Sequence, residues 1–330
     1  MAVAVAVGHN APVNSDLCIE SGVVIHGGVG MIARSEMTAE LEASYRATLV
    51  ESLQAGRESL ETGGSALHAS IAAVGVMEDS PLFNAGRGSN FDERGVVTMD
   101  ASIMDGSTLE AGAVAGVAGV RYPAELARLV MERSDHVMLI GAGAEAFARS
   151  KGMEIMDASF FHTDRRWNEL EQAKKQSGRR PNVLEQEDPA GKSGTVGAVA
   201  RDRTGRLAAA TSTGGMANKT WGRVGDSPII AAGTYASSLC AVSCTGWGEY
   251  FIRHVVAYDV HARMQYAGSS LAEAAHGVIW DTLERSVPGF GGLVAVDAEG
   301  NVAFTFNTAG MYRGWIDERG RAEVAIYLDD

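Results

Sequence analysis

The sequence predicts an α+β protein in which stacked antiparallel sheets are flanked by helices. Short strands, rich in small and β-branched residues, cluster in two groups, one in each half of the chain. Each half also contains a pair of helical segments, and strands and helices do not alternate one by one as they do in βαβ units. A chain of 330 residues is long enough for two domains or for one large layered domain.

The first half opens with a buried strand followed by two helices. Apolar residues recur at helical spacing after the strand, at Leu41, Tyr45, Leu49 and Leu53. Gly63 and Gly64 end that helix, and Pro123 falls in the first turn of a later one, where proline is tolerated. The elements predicted in this half are strands at 22–28, 96–100, 113–120 and 136–140 and helices at 35–62, 65–78, 122–133 and 144–150.

The second half has a similar organisation. Its glycine-rich and β-branched segments predict strands, and a turn at Glu299-Gly300-Asn301 predicts a hairpin near the C-terminus. The elements predicted here are strands at 195–202, 206–213 and 240–245, helices near 249–267 and 271–286, and a hairpin over 293–307.

Composition limits the partners and the compartment. The chain is 46% hydrophobic and 21% charged, as soluble globular proteins are. A net charge of -13 argues against nucleic acid or an anionic membrane surface as a partner, and no segment approaches the roughly 18 apolar residues of a membrane span. We interpret residues 1–14, which lack a basic region, as a disordered leader rather than a signal peptide.

The cysteine content favours a reduced, cytoplasmic setting. The chain has three cysteines and no CxxC pair. Cys240 and Cys244 fall on one face of a predicted strand, and we expect them to be small core residues.

The junction between Gly194 and Thr195 is the first candidate for chemistry. Residues 159–192 are polar and charged without an apolar pattern, and a strand opens abruptly at Thr195. Cleavage before Thr195 would give it a free α-amino group, with a pKa of about 8, beside its own hydroxyl. Nucleophile and base would then belong to one residue. The polar segment is interpreted either as a linker between domains or as a linker inside one fold that is severed during maturation.

Four glycine-punctuated loops carry further candidates. Thr213 ends a strand before two glycines, and Asn84 lies near the centre of the loop Pro81–Ser89. Arg223 and Asp226 stand three residues apart, so that together they fit the carboxylate and ammonium of an α-amino acid. The run Cys244–Glu249 follows a strand and opens a helix, where N–H groups and a threonine hydroxyl suit an oxyanion. Taken singly, such pieces are more often turns or surface ion pairs.

Taken together, these pieces resemble the plant-type asparaginase/isoaspartyl peptidase family of N-terminal nucleophile hydrolases. The motifs are VVIHGGVG, PLFNAGxGS, GTVGAVA, TSTGG, GRVGDSP and SCTGxGE, in family order from about residue 22 to about residue 315. Within the family, the chain is more similar to bacterial isoaspartyl peptidases than to glycosylasparaginase. The resemblance implies a four-layer αββα sandwich formed as one domain, 1–330.

The resemblance also implies maturation and a set of catalytic residues. The chain would cleave itself between Gly194 and Thr195 into an α subunit, 1–194, with a flexible tail at 159–194, and a β subunit, 195–330, usually assembled as (αβ)₂. Thr195 would be the nucleophile and, through its amine, the base. Thr213 and Asn84 would orient it, and Thr245 and Gly246 would form the oxyanion hole.

Substrate binding follows by the same resemblance. Arg223 would bind the α-carboxylate and Asp226 the α-ammonium of a β-aspartyl group, with Gly246 and Gly248 beside them. Thr195 would attack the side-chain carbonyl of L-asparagine or of a β-aspartyl peptide, and water would release aspartate. No cofactor takes part in this chemistry. A structural Na⁺ is expected on backbone carbonyls in the segment matching bacterial relatives, with Met77, Glu78, Ser80, Phe83, Ala85 and Arg87 as its ligands.

Trp247 departs from the family pattern, in which a smaller or more polar residue stands between the two glycines. It would either face the leaving group or simply pack outward. For the acidic tail 327–330 we expect only solvation.

Three alternative functions remain. Gly141-Ala-Gly-Ala-Glu-Ala146 matches a dinucleotide-binding turn, but the acidic residue about 20 positions on, Asp164, falls in the polar segment and not at the end of a second strand, where the ribose contact is expected. The chain could instead be an uncleaved, non-catalytic binding protein, or it could hydrolyse another amide, such as glycosylasparagine.

Overall fold

The computed structural model describes residues 17–30, 32–176, 194–286, 288–289 and 291–330. The predicted leader and the part of the polar segment at 177–193 lie outside the described residues. The strands are β1 (Gly22–Gly28), β2 (Met99–Asp105), β3 (Ala111–Val117), β4 (Met138–Ile140), β5 (Val196–Arg201), β6 (Leu207–Thr213), β7 (Thr234–Ala236), β8 (Cys240–Gly246), β9 (Gly291–Asp297), β10 (Val302–Phe306), β11 (Gly310–Asp317) and β12 (Ala322–Tyr327).

Helices occur in both halves, so the α+β class is confirmed. They are α1 (Ala39–Glu61), α2 (Ala66–Asp79), α3 (Pro123–Arg133), α4 (Gly141–Ser150), α5 (Asp164–Gln176), α6 (Gly248–His254), α7 (Val256–Ala267), α8 (Leu271–His276) and α9 (Glu284–Ser286), with a π-helical segment at Gly277–Leu283. Thr38 caps α1, because its side chain accepts from the N–H of Leu41, and so the helix begins later than predicted. The predicted helix 249–267 is two helices, broken at Val255, which has a φ of +51°.

The strands of the described residues form two sheets. The larger has eight strands in the order β12-β11-β1-β5-β6-β2-β3-β4, and the smaller has four in the order β10-β9-β8-β7. Neighbouring strands are antiparallel except β3 and β4. Strands from both halves of the chain therefore alternate in one sheet, since β1 lies between β11 and β5.

Apolar clusters show which surfaces pack together. One cluster joins α1 and α2 to the larger sheet, through residues such as Leu49, Val74 and Ala198. A second lies between the two sheets and includes Val199 and Val294. A third packs α7, α8 and the π-helical segment on the smaller sheet, and it contains both cysteines predicted to be core residues, Cys240 and Cys244. A fourth covers β2 and β3 with α3, α4 and α5. None of the described helices is long and apolar enough to cross a membrane.

The prediction that residues 159–192 lack a core-forming pattern was wrong for their described part. Helix α5 forms there, and Phe161 and Leu170 are buried in the cluster over β2 and β3. Arg166 is also buried, with its guanidinium donating to the carbonyl oxygen of Gly88 at 2.7 Å and to Glu169 at 2.7 Å. The high charge of α5 hides its apolar face in the sequence, because several of its charged residues pair with one another rather than with solvent.

The C-terminal strands were missed, and the interpretation of the tail was wrong. Strands β11 and β12 carry glycines and charged residues, so their local pattern is weak, yet β11 pairs with β1 along its length. Asp330 accepts hydrogen bonds from the N–H groups of Ile326 and Tyr327 and pairs with Arg46 at 2.7 Å. The tail therefore ties the last strand to α1 instead of lying in solvent.

Candidate active site

Thr195 is buried at the start of β5, opposite the end of β6. Val196 pairs with Ser212 in the antiparallel ladder, which places Thr195 beside Thr213. The hydroxyl of Thr195 donates to the Thr213 Oγ1 at 3.3 Å, and the Thr213 hydroxyl lies 3.5 Å from the carbonyl oxygen of Gly194. The Thr213 hydroxyl thus contacts both the predicted nucleophile, Thr195, and the Gly194 carbonyl that Thr195 would attack during self-cleavage.

The junction is supported from behind by the end of β1. A Cβ built on Gly28 would lie 2.6 Å from the Cα of Gly194 and 2.9 Å from the nitrogen of Thr195. Gly28 also has a φ of +102°, which other residues rarely adopt. His26, on the same strand, lies with its Nδ1 2.9 Å from the Thr195 carbonyl oxygen. Close approach of the backbone explains the glycine in this position.

Asn84 lies beside the junction, with its Cβ 3.8 Å from a Cβ built on Gly194, and its side-chain hydrogen bonds are made to other residues. Its side chain donates to the carbonyl oxygen of Gly215 at 2.8 Å, and its own carbonyl accepts from the N–H of Gly214 at 3.0 Å. Gly215 in turn donates its N–H to the Thr213 hydroxyl at 3.0 Å. Asn84 therefore holds the turn that follows Thr213.

Thr245 and Gly246 end strand β8 in the smaller sheet. The Thr245 hydroxyl is buried and accepts from the N–H of Val29 at 3.4 Å, directly after Gly28. Gly246 has a φ of +155°, at the turn from the strand into α6. The two sheets thus meet where β1 ends, since Val29, which donates to Thr245, directly follows Gly28, which lies against the Gly194–Thr195 junction.

Arg223 and Asp226 meet the start of α6. A Cβ on Gly248 would lie 2.8 Å from the Arg223 Nη2 and 2.9 Å from the Asp226 nitrogen, so glycine is needed there as well. Arg223 is held by Glu249 in a bidentate pair, with both N–H groups donating at 2.9 Å. A Cβ on Gly215 would lie 3.6 Å from the Arg223 Nη1, which connects the cation to the turn after Thr213.

Burial shifts the pKa of the Asp226 carboxyl toward neutral pH. Desolvation raises the pKa of its carboxyl from 3.8 to about 7, and the positive charge of Arg223 opposes this rise. One carboxyl oxygen, Oδ2, is buried and has no hydrogen-bond partner within the described residues. An ammonium group could donate the hydrogen bond that the buried Asp226 Oδ2, near the Arg223 guanidinium, lacks.

Several residues of this region had no role in the sequence analysis. Glu249 belongs to a motif noted there, but its contact with Arg223 depends on a turn between distant segments. Asp100 pairs across the sheet with Thr213, and burial raises the pKa of its carboxyl. Lys219 is buried and donates to the carbonyl oxygens of Thr98 and Gly214 at 2.6 and 2.8 Å. A buried charge in a polar loop leaves no periodic signal in a sequence.

The loop predicted to hold sodium folds tightly back on itself. The Cβ positions of Gly86 and Gly88 lie 2.0 Å from the carbonyl oxygens of Glu78 and Phe83, respectively. Only glycine lets these carbonyls reach so far into the loop, and carbonyl oxygens are ligands that hard cations accept. The two glycines therefore leave room for the carbonyls of Glu78 and Phe83, two of the six predicted ligands, and the sodium site stays a prediction. Among the described residues, no group of three or more His, Cys, Asp or Glu side chains offers another metal site.

The other sequence features fall outside this site or at its edge. Trp247 is half-buried and packs edge-on against Tyr250, with ring centres 5.8 Å apart. Gly141 begins α4 after the three-residue strand β4, at the edge of a largely antiparallel sheet. Asp164 begins α5 and follows no strand, so the dinucleotide interpretation loses its ribose contact.

Fold and site together define an α+β protein with a buried threonine at a strand start and with an arginine and a buried aspartate that meet the start of α6. A family model described as asparaginase matches residues 19–326. An isoaspartyl peptidase of Salmonella typhimurium is 51% identical over 301 residues, 89% of this chain and 94% of the relative. An isoaspartyl peptidase of Escherichia coli is 51% identical over 298 residues, which cover 89% of this chain and 92% of the relative.

The similarity extends to animals. An isoaspartyl peptidase/L-asparaginase of Xenopus laevis is 40% identical over 296 residues, 88% of this chain and 90% of the relative. The chain therefore belongs to the asparaginase family of enzymes, and the resemblance predicted from the motifs is confirmed.

Proposed function

We propose that the chain is a threonine hydrolase, activated by self-cleavage, that releases L-aspartate from β-aspartyl peptides and L-asparagine. The observation that carries this proposal is the position of the Thr213 hydroxyl, which contacts both the Thr195 hydroxyl and the Gly194 carbonyl oxygen. The names of the relatives support the substrate class.

Self-cleavage uses the groups at the junction. The Thr195 hydroxyl attacks the Gly194 carbonyl carbon, and its proton passes to the Thr195 nitrogen as the C–N bond between the two residues breaks, which leaves them joined by an ester. Water then hydrolyses this ester. This leaves a carboxylate on Gly194 and a free α-amino group on Thr195. Thr213 orients the hydroxyl, and Gly28 allows the two segments to come close. Afterwards the amine takes the hydroxyl proton, because its pKa of about 8 lies near neutral pH.

Hydrolysis then follows with the aspartyl head held at the second part of the site. Arg223 binds the α-carboxylate, and Asp226, ionised, binds the α-ammonium. Thr195 attacks the side-chain carbonyl, whose oxyanion is received by Thr245 and Gly246. Ammonia from L-asparagine, or an amino acid or peptide from a β-aspartyl peptide, leaves with the proton that the Thr195 amine had taken. Water then hydrolyses the β-aspartyl ester on Thr195 to release aspartate. The site recognises the leaving group less tightly than the aspartyl head. Trp247 lies between Gly246 and Gly248, and we propose that it is the residue nearest to the leaving group.

Further properties implied by the family are part of the proposal. We infer that the packing clusters form a four-layer αββα sandwich in one domain, that cleavage yields subunits 1–194 and 195–330, and that these assemble as (αβ)₂. A structural Na⁺ would be held by backbone carbonyls of the loop at 77–87. The three unpaired cysteines suit a cytoplasmic location. Light scattering of the matured protein tests the assembly.

Intact mass and N-terminal sequencing test the mechanism. We expect two fragments, one of which begins at Thr195, and a single intact chain for Thr195→Ala. A new N-terminus elsewhere would overturn the mechanism, and a wild type that stays intact after long incubation would favour a non-catalytic binding protein.

Release of aspartate from three substrates tests specificity. We expect release from L-asparagine and from a β-aspartyl dipeptide and little from glycosylasparagine. Preference for glycosylasparagine would replace the proposed substrate class, and failure on all three substrates would refute it.

A further inference from the structure

A continuous chain of buried hydrogen-bonding side chains crosses the molecule behind the nucleophile. It begins at the Thr195 carbonyl oxygen, 2.9 Å from the His26 Nδ1, and the His26 Nε2 lies 2.9 Å from the Ser243 Oγ. Ser243 Oγ is 2.7 Å from the Thr211 Oγ1, which accepts from the Thr234 hydroxyl at 2.6 Å.

The chain ends beside the predicted substrate-binding aspartate. The Ser102 Oγ lies 2.8 Å from the Thr234 Oγ1 and 2.6 Å from the carbonyl oxygen of Ser227, the residue after Asp226. The five side chains, defined here as the hydroxyl chain, are His26, Ser243, Thr211, Thr234 and Ser102, and each has no measurable exposure.

Strand register explains how these side chains meet. His26, Gly197, Thr211 and Ser102 lie in one row across β1, β5, β6 and β2 of the larger sheet. Thr234 and Ser243 pair with each other in the smaller sheet. Thr195 and Thr213 form the adjacent row, two residues along the same strands, so the hydroxyl chain lies directly behind the site.

Gly197 is the position in that row without a side chain. A Cβ there would lie 2.0 Å from the Ser243 Oγ and 2.4 Å from the His26 Nε2. The glycine therefore opens the space in which the side chain from the smaller sheet reaches the histidine of the larger one.

The chemistry of the groups gives most of the chain one direction. A carbonyl oxygen only accepts, so the His26 Nδ1 carries the proton toward Thr195, and its Nε2 accepts from Ser243. Burial lowers the pKa of His26 to about 3, which keeps the ring neutral. Thr211 then donates to Ser243 and accepts from Thr234. From Thr234 to His26 each donor points toward Thr195, whereas the single Ser102 proton goes to the Ser227 carbonyl oxygen, which can only accept. Loss of any member leaves a buried neighbour unpaired.

We propose that the hydroxyl chain positions the Thr195 backbone relative to the Asp226–Ser227 segment, so that nucleophile and aspartyl head are held in register across two sheets. Its members are positioning residues, and the inference rests on the function proposed above. Elsewhere the surface between the sheets is largely apolar, so the hydroxyl chain adds directional hydrogen bonds to the apolar packing of the two sheets.

Thr211→Val tests the proposal at the centre of the chain, because valine keeps the shape and removes the hydroxyl. The matched control is Thr305→Val, since Thr305 is also buried and its hydroxyl has no hydrogen-bond partner within the described residues. We expect Thr211→Val, once cleaved, to lose at least tenfold in kcat on a β-aspartyl dipeptide, with a change in KM of less than threefold. Thr211→Ser should retain kcat within threefold of the wild type, and Thr305→Val within twofold.

Thermal unfolding and intact mass accompany the kinetics. A Thr211→Val protein that is folded and cleaved, with kcat within twofold of Thr305→Val, overturns the inference. If Thr211→Val does not fold, Ser102→Ala, at the far end of the hydroxyl chain, is compared with Thr305→Val instead. Equal kcat and KM for these two variants would again overturn the inference. A wild type that releases no aspartate from any substrate refutes the proposed function, and the inference falls with it.

A double-mutant cycle provides a second test. Ser243 and Ser102 make no hydrogen bond with each other and are joined only through Thr211 and Thr234. If the chain acts as a unit, Ser243→Ala combined with Ser102→Ala should lower kcat little more than the worse single variant. A fold-loss in kcat for the double variant equal to the product of the two single fold-losses would overturn the inference.

Discussion

Gly28 and Gly194 approach each other so closely that the Gly194 backbone leaves no room for a side chain on Gly28. A Cβ on Gly28 would lie 2.6 Å from the Gly194 Cα, on the segment that carries the proposed scissile bond. Strand β1 therefore forms the wall against which the junction is held. The contact joins a motif near the N-terminus to a junction more than 160 residues later.

Gly28→Ala should slow self-cleavage, because the added methyl displaces the junction and the residue has a φ of +102°. We expect the precursor to disappear at least tenfold more slowly, as followed by intact mass after synthesis. Gly152→Ala is the matched control, since Gly152 also has a positive φ, of +80°, and open space around its Cβ position. Equal cleavage rates for the two variants would contradict the steric role of Gly28.

Asp226 should make both stability and activity depend on pH. Its carboxyl has a pKa of about 7 in the folded protein against 3.8 ordinarily, so between these values the folded state holds a proton that the unfolded state does not. Its contribution to the free energy of unfolding is therefore complete below pH 3.8 and is lost as the pH rises through about 7. Arg223, Glu249 and Asp100 are the charged groups that act on it.

Asp226→Asn should remove this pH dependence, as measured by urea unfolding between pH 5 and 8. At pH 8 it should raise the free energy of unfolding by roughly 1 to 3 kcal/mol, because the folded variant no longer buries a carboxylate at this position. For the wild type, log kcat/KM should rise with pH at a slope of about 2 below pH 6.5, because the Asp226 carboxyl and the Thr195 amine must both lose a proton. For Asp226→Asn the slope should be about 1, because only the amine titrates. An unchanged slope would show that Asp226 does not control binding.

Glu249→Gln should weaken substrate binding without affecting the chemical step. Glu249 holds two N–H groups of Arg223, so its loss frees the guanidinium to leave the position that binds the carboxylate. We expect KM for L-asparagine to rise by about threefold to tenfold, with kcat within twofold, as for loss of uniform binding. Glu42→Gln, which breaks a similar pair with Arg46 on α1, should leave both constants unchanged. A fall in KM would mean that Glu249 competes with the substrate instead.

Arg166→Leu should destabilise the protein, because Arg166 joins α5 to the loop that carries Asn84. Its removal leaves the buried Gly88 carbonyl without this donor, and we expect a loss of roughly 1 to 3 kcal/mol in urea unfolding, together with lower kcat. Arg319→Leu, on an exposed pair with Glu318, should cost about 0.5 kcal/mol or less. Equal stability of the two variants would show that α5 does not hold the loop.

Much of the fold was predictable from local patterns. The helices near 39–61, 66–79 and 123–133 and the strands at 22–28, 196–201, 207–213 and 240–246 were predicted within a few residues, because capping, glycine stops and small-residue runs act locally. Strand β11 was missed since its pairing with β1 depends on a neighbour almost 300 residues away. Helix α5 was missed because ion pairs mask its apolar face.

The candidate site divides in the same way. Family membership was evident from the motifs and is confirmed, whereas the roles of Thr195, Arg223 and the other site residues remain predictions that the experiments above test. The sequence by itself determined the glycine-rich motifs, and with them where the backbone approaches closely. Only the tertiary structure decided that Glu249 clamps Arg223, that Asp226 is buried enough to shift its pKa, and that five side chains form a hydroxyl chain. Each of these depends on strands and loops meeting from distant segments, and such pairings leave no periodic trace along a chain.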